Sequence, residues 1–248
     1  MIIFLIFLIK YNNFYLDNTG ITVLNNWLDN SEVFSLIFIC LCFLFVINGA
    51  NLIDGYNGLL GFHSLIILLN LFLINYLSKN NDLANLLFFV ILILIIFLKY
   101  NFPKAKVFLG DSGSYLLGAF IAISTIETSI LNPTISPFYF CILLFYLFFE
   151  VFFSFFRKLI KEKMPPIHPD KKHLHMLVYK MLFKKNNDKL KSNYYVSIIM
   201  NLIYLILIIP AIFMMNSGIF CKYYSLVFFA LYFFSYKKIY EKTKLNIK

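Results

Sequence analysis

The sequence predicts an all-α, polytopic transmembrane bundle of about seven or eight helices, and three observations carry that reading. Hydrophobic residues fill 61% of the 248 positions and charged residues only 14%, too little polar surface to coat a water-soluble globule of this size. The apolar residues stand in long blocks, at 33–47, 59–77, 84–98, 114–131, 137–156, 196–215 and 223–235. Most approach the roughly 20 residues that cross a hydrocarbon core, and the shorter ones reach it with their flanks. The blocks also lack the period-2 alternation of a membrane barrel, and lipid admits only helices or closed barrels.

Taken in order, the opening Met1–Lys10 is an oddity, because the apolar run before Lys10 spans only about 13 Å of a core about 30 Å thick. It lacks the basic flank and small residues of a signal peptide and reads as the tail of a helix that begins upstream. Residues 11–32 are predicted as a polar external loop, with Trp27 as an interfacial anchor. Beyond it, apolar blocks alternate with connections at 48–58, 78–83, 99–111, 132–136, 157–194 and 216–222. No repeat or linker divides the chain, so 1–248 reads as one membrane domain that includes the basic loop 157–194.

The formal charge of +10 would suggest nucleic acid in a soluble protein, but no aromatic-interleaved basic groove or zinc spacing accompanies it, and no nucleic-acid partner is expected. Topology explains the charge instead. Of the 22 Lys and Arg residues, all but Lys10, Lys79 and Lys222 fall on one side when the loops are numbered alternately. The positive-inside rule then puts 48–58, 99–111, 157–194 and the C-terminal tail in the cytoplasm, with the chain in the cytoplasmic membrane. Cys40, Cys42, Cys141 and Cys221 form no CxxC pair and read as small apolar residues.

Three polar strips carry the chemistry. Asn48-Gly-Ala-Asn51-Leu-Ile-Asp54-Gly55-Tyr-Asn57-Gly58 has more amides and glycines than one helix cap needs. Gly110-Asp111-Ser112-Gly113-Ser114 opens another apolar helix; Asp111 could serve as an N-cap there, or hold a hard divalent cation while backbone N–H groups meet phosphate. The third strip is Pro165-Pro166-Ile167-His168-Pro169-Asp170-Lys171-Lys172-His173-Leu174-His175. With lysines and no thiolate near its histidines, it favours anion recognition over zinc. The charge-derived topology puts Asp54, Asp111, His173 and His175 on one side, although only Lys and Arg set it. All nine glycines except Gly20 and Gly218 lie between Gly49 and Gly118. Carboxylates for a metal, basic groups for phosphates and an adjacent bilayer suggest phosphoryl transfer to a lipid.

Asn48-x-x-Asn51-x-x-Asp54-Gly55-x-Asn57-Gly58-Leu59 and Lys106-Val-Phe-Leu-Gly110-Asp111-Ser-Gly-Ser114-x-Leu-Leu-Gly118 resemble the bacterial polyprenyl-phosphate N-acetylhexosamine-1-phosphate transferases, within glycosyltransferase family 4. His173-Leu174-His175, after Pro169-Asp170, looks like the histidine motif of the branch that handles UDP-N-acetylhexosamines. The resemblance implies a reaction between a UDP-sugar and undecaprenyl phosphate that releases UMP and starts a cell-envelope polysaccharide, with Mg2+ or Mn2+ as cofactor. It implies Asp111 as metal ligand and Asp54, Asp111, His173 and His175 as catalytic residues. Asn48, Asn51, Asn57, Gly110, Ser112, Lys106, Asp170 and Lys171 would bind substrate. Dimerisation is left open.

Three departures accompany the resemblance. Glu150 stands where such proteins usually have Asp, and Met176 stands where many have a further His. The adjacent Asp-Asp pair of an earlier loop is absent. With the short opening run, this leads to the expectation that the chain matches the C-terminal two thirds of such an enzyme and depends on an upstream segment for activity. The competing readings are a family member without catalysis, and a transporter or scaffold whose acids mark an ion path.

Overall fold

The computed structural model describes residues 16, 18–163, 165 and 171–244. Among them the chain is helical and without strands: α1 (Thr22–Asn30), α2 (Glu32–Ile53), α3 (Leu59–Leu77), α4 (Asn81–Asn101), α5 (Gly110–Leu131), α6 (Pro137–Leu143), α7 (Phe145–Phe156), a π-helical extension (Arg157–Glu162), α8 (Leu174–Asn186), α9 (Lys189–Phe213) and α10 (Gly218–Lys244). Six of them, α2 to α5, α9 and α10, are long and apolar enough to cross a membrane, and the bent α6–α7 pair makes a seventh. The chain is therefore an integral membrane protein of the predicted all-α, multi-pass class.

Two local differences from the sequence reading have clear causes. The stretch expected as a polar loop contains α1, because Leu24 and Leu28 share one helical face and Leu28 is buried. Asn25 holds the chain entering it, accepting from the Thr19 backbone N–H at 2.8 Å. The apolar block 137–156 is not one straight helix but bends by 75° at Leu144. The Leu143 carbonyl at the bend accepts from the Tyr204 hydroxyl of α9, so that acceptor is not left bare by the break.

The centre of the bundle is α2, packed against α5 and α7 through small residues. A Cβ built on Gly49 would stand 2.0 Å from the Leu147 carbonyl oxygen of α7, and one on Gly118 would stand 2.8 Å from the Ala50 Cβ. Without side chains at these positions three backbones approach closely, which is how helices associate where lipid offers no hydrophobic drive. At one end of the bundle, α3 and α5 are joined by Asn75 donating to Thr128 Oγ1 at 2.7 Å. At the other end the polar connections α2–α3, α4–α5 and α7–α9 meet.

The last of these connections is fixed by one fully buried carboxylate. Glu150 Oε1 accepts from His173 Nδ1 at 3.0 Å and from the Leu174 backbone N–H at 3.1 Å, and Oε2 accepts from the Tyr232 hydroxyl of α10 at 2.7 Å. The His173 side chain does not cap α8, so the negative charge at its N-terminus comes from α7. A second carboxylate, Glu162, pairs with Arg157 and Lys172, each at 2.8 Å. Burial would raise the Glu162 pKa, but the Lys172 hydrogen bond and the Arg157 charge together hold it below the ordinary value.

Two outcomes are expected. Gly49→Val should lower the thermal unfolding temperature in detergent, since overpacking costs about 1–3 kcal/mol or more and the obstructing atom is backbone. Glu150→Leu should speed hydrogen exchange at the Leu174 amide by at least about tenfold, as expected for losing a charge-assisted bond. Unchanged exchange there would show that the carboxylate does not hold α8.

Candidate functional site

Sequence folds the polar end of the bundle by supplying side-chain partners for loop backbones. The Asn57 N–H donates to Asn193 Oδ1 at 2.8 Å, and the Ser197 hydroxyl donates to the Asn57 carbonyl at 2.6 Å, tying the α2–α3 turn to α9. Gly58 N–H donates to Asn101 Oδ1 at 2.6 Å, while the Asn101 amide donates to the Val107 carbonyl at 2.8 Å, tying that turn to the α4–α5 loop. Asn101, Asn193 and Ser197 were not singled out in the sequence; Asn101 ends α4, while Asn193 and Ser197 are polar residues in the first turns of α9.

The amides that were singled out already have partners within the protein. Asn48 Nδ2 donates to the Leu44 carbonyl of its own helix at 2.7 Å, and Asn57 Nδ2 to the Pro103 carbonyl at 2.9 Å. Asn51 bridges α2 and α5: its Oδ1 accepts from Ser114 at 2.7 Å and its Nδ2 donates to the Tyr115 hydroxyl at 3.1 Å. These contacts bring the Asp54 turn against the start of α5.

At that start, Gly110 has φ +63° and open space where a Cβ would be, a backbone state that suits glycine. Helix α5 begins without a side-chain cap: Asp111 lies in the first turn, and Leu109 occupies the capping position. The N-cap role open to Asp111 in the sequence is therefore not taken up, because the capping position falls two residues earlier, on Leu109. Gly110, Asp111 and Ser112 are exposed, as is Lys106 on the preceding loop.

Asp54 is half-buried and lies at the C-cap of α2, where its backbone N–H, not its carboxylate, completes the cap by donating to the Asn51 carbonyl. Neither the Asp54 nor the Asp111 carboxylate has a hydrogen-bond or ion-pair partner among the described residues. They do sense each other. Burial, and then the negative charge of Asp111, push the Asp54 pKa up to about 6. Among the described residues no three His, Cys, Asp or Glu side chains converge as a self-sufficient metal cage. Two repelling carboxylates beside an uncapped helix N-terminus are hard oxygen donors of the kind that can hold a divalent cation.

The histidines meet the same end from within. His173 is 5% exposed and His175 is fully buried. Their rings are parallel at 5.7 Å, and the Tyr56 ring stands edge-on to His175 at 5.8 Å, linking them to the Asp54 turn. Because Glu150 accepts from His173 Nδ1, that nitrogen carries a proton and Nε2 is the other edge. His175 Nδ1 pairs with the Tyr146 hydroxyl at 2.9 Å, and burial, followed by the neighbouring His173, lowers its pKa to about 4 against the opposing pull of Glu150. Glu150 and Tyr146 were the less visible members of this group; the signal for the first is a carboxylate inside an apolar block. Lys171 is exposed, and its carbonyl accepts from Lys180 Nζ at 2.8 Å. Asp170, His168 and Pro169 lie outside the described residues.

The structure thus gathers Asp54, Asp111, Asn51, His173 and His175 at one end of the bundle. The family model described as glycosyl transferase family 4 matches residues 1–129, a stretch that holds both acidic strips. The chain is 36% identical over 139 residues to an undecaprenyl-phosphate alpha-N-acetylglucosaminyl 1-phosphate transferase of Thermotoga maritima, a match covering 56% of this chain and 41% of that protein. It is 37% identical over 140 residues to a phospho-N-acetylmuramoyl-pentapeptide-transferase of Dictyoglomus turgidum, covering 56% and 45% respectively. The matches thus span less than half the length of these curated relatives. No solved structure matches the chain. With a family match over more than half of its residues and both acidic strips inside it, the chain belongs to glycosyl transferase family 4.

Proposed function

We infer that this protein serves the transfer of a sugar-1-phosphate, N-acetylhexosamine-1-phosphate by its histidine motif, from a UDP-sugar to undecaprenyl phosphate, releasing UMP at the cytoplasmic face of the bacterial membrane. The observation that carries the reading is the pair of carboxylates without partners, Asp54 and Asp111, at the open N-terminus of α5. The names of the relatives support a polyprenyl-phosphate acceptor and a sugar-phosphate donor.

In the reaction, an oxygen of the polyprenyl phosphate attacks the phosphorus that bears the sugar. The bond from that phosphorus to the bridging oxygen breaks, and UMP leaves with the electron pair. Asp111, helped by Asp54, would hold Mg2+ or Mn2+. When bound, such an ion offsets charge on the diphosphate and polarises its oxygens. The backbone N–H groups at Gly110 to Gly113 point out of an uncapped helix end, where they can meet phosphate oxygens. Lys106 and Lys171 add positive charge to a site that must take two anionic substrates.

Glu150 keeps His173 in one tautomer and one orientation, so that its Nε2 edge can meet a phosphate or sugar hydroxyl without a search. Buried and neutral, His175 serves better as a hydrogen-bonding wall of the pocket than as a cation. The Asn51 bridge sets the spacing of Asp54 and Asp111 by fixing α2 to the first turns of α5.

Asp111→Asn is expected to lower metal-dependent transfer by at least about 100-fold, measured as lipid-linked radiolabelled sugar in membranes from a host without its own transferases. Near-normal transfer across a magnesium titration would exclude Asp111 as the ligand. Deprotonated Asp54 is the form that holds a cation, and its pKa is raised to about 6. Metal affinity should therefore be full above that pH and weaken as the pH falls through it. Asp54→Asn should remove that step, read by isothermal titration with Mn2+.

A further inference from the structure

The hydrogen bonds around Glu150 reach a helix that the sugar-phosphate site does not otherwise use. Tyr232 of α10 stands 82 residues from Glu150 in the sequence, and its hydroxyl donates to Glu150 Oε2 at 2.7 Å. The other oxygen, Oε1, takes His173 Nδ1 at 3.0 Å and the Leu174 N–H at 3.1 Å. The two oxygens thus have separate tasks: one faces the histidine strip, and the other faces α10.

That division matters because the last torsion of a glutamate is broad and roughly two-fold. The donors from His173 and Leu174 converge on a single oxygen and fix one point of the carboxylate. The Tyr232 bond fixes a second point, and two points set the plane in which Oε1 meets Nδ1. The hydroxyl is itself held. Tyr232 is 5% exposed, and its ring stands edge-on to Phe149 at 4.9 Å and to Phe153 at 5.2 Å, neighbours of Glu150 on α7. Removing the hydroxyl alone would keep this ring packing while leaving a buried carboxylate oxygen short of a donor, so the carboxylate would turn away from its present plane.

Mooring α10 does not by itself call for this bond. Tyr224 of the same helix moors it too, by donating to the Leu207 carbonyl of α9 at 2.8 Å, and Glu150 plays no part in that contact. We propose that Tyr232 is a positioning residue of the histidine site, acting through Glu150 to keep His173 in its Nδ1–H tautomer with Nε2 toward the sugar nucleotide. The role rests on the reading that His173 meets that substrate. The link from Tyr232 to the His173 tautomer rests on the hydrogen bonds alone.

The test uses the purified 248-residue chain in detergent with 15N-labelled histidine, observed by NMR at alkaline pH, where imidazoles are neutral. The chain has four histidines, and His173→Gln identifies the signals of His173. In the native chain His173 should show the Nδ1–H form over the Nε2–H form by about tenfold or more, as a charge-assisted bond requires. Tyr232→Phe should lower that ratio by about fivefold, the weight of one net hydrogen bond, and Tyr224→Phe should leave it unchanged. In a Glu150→Leu background, where His173 has already lost its acceptor, Tyr232→Phe should add no further change. The same ratio in Tyr232→Phe as in the native chain would overturn the proposal, and so would an equal loss in Tyr224→Phe. Adding UDP-N-acetylglucosamine to the native chain should shift the His173 Nε2 signal, and Tyr232→Phe should need about fivefold more of it for the same shift. A His173 ring held by Tyr232 but indifferent to the nucleotide would overturn its role toward the sugar nucleotide and leave the link itself standing.

Discussion

Lipid gives a polar group nothing to bond to, and this constraint orders the whole molecule. Most amides, hydroxyls and carboxylates that the sequence carries into the bundle find their partners in the protein. Glu150 shows the rule at its strongest. Its buried carboxylate gathers His173, the first backbone N–H of α8 and Tyr232 of α10, so one charge satisfies donors from two further elements. The Leu143 carbonyl at the bend is covered in the same way by Tyr204, and Asn75 and Thr128 satisfy each other at the far end.

Against that background the exceptions are informative. Asp54 and Asp111 keep their carboxylates without partners at the same end where asparagines and serines have bonded every loop into place. Two negative charges held together by a rigid frame are unfavourable until something positive joins them, and the frame itself gains nothing from the pair. On a smaller scale, the buried Nε2 atoms of His63 and His175 and the hydroxyls of Ser64, Ser136 and Ser192 also lack a partner among the described residues.

Close approach of backbones makes this frame possible. Gly49 and Gly118 let α2 lie directly against α7 and α5, and the polar ends of these helices then fall within reach of one another. The α8 segment returns to the bundle by its apolar side, with Leu174, Leu177 and Val178 buried, and brings the histidines in under the Asp54 turn.

Much of this was legible in the sequence, for physical reasons. Apolar blocks of bilayer length can only be helices, and the asymmetry of lysines orders their ends, so the meeting of the Asp54, Asp111 and His173 segments followed from charge alone. Which polar residue serves the frame and which is left for chemistry was not legible. Asn51 and Asn57 look like pocket residues in a motif, yet each has a partner in another segment, because hydrogen bonding depends on neighbours that sequence spacing does not give. The helix in 22–30, the bend at Leu144 and the burial of His175 were likewise settled by tertiary contacts, since each depends on a partner from elsewhere in the chain. Sequence alone determined the class, the spans and the polar strips; only the fold decided which of their groups would find no partner.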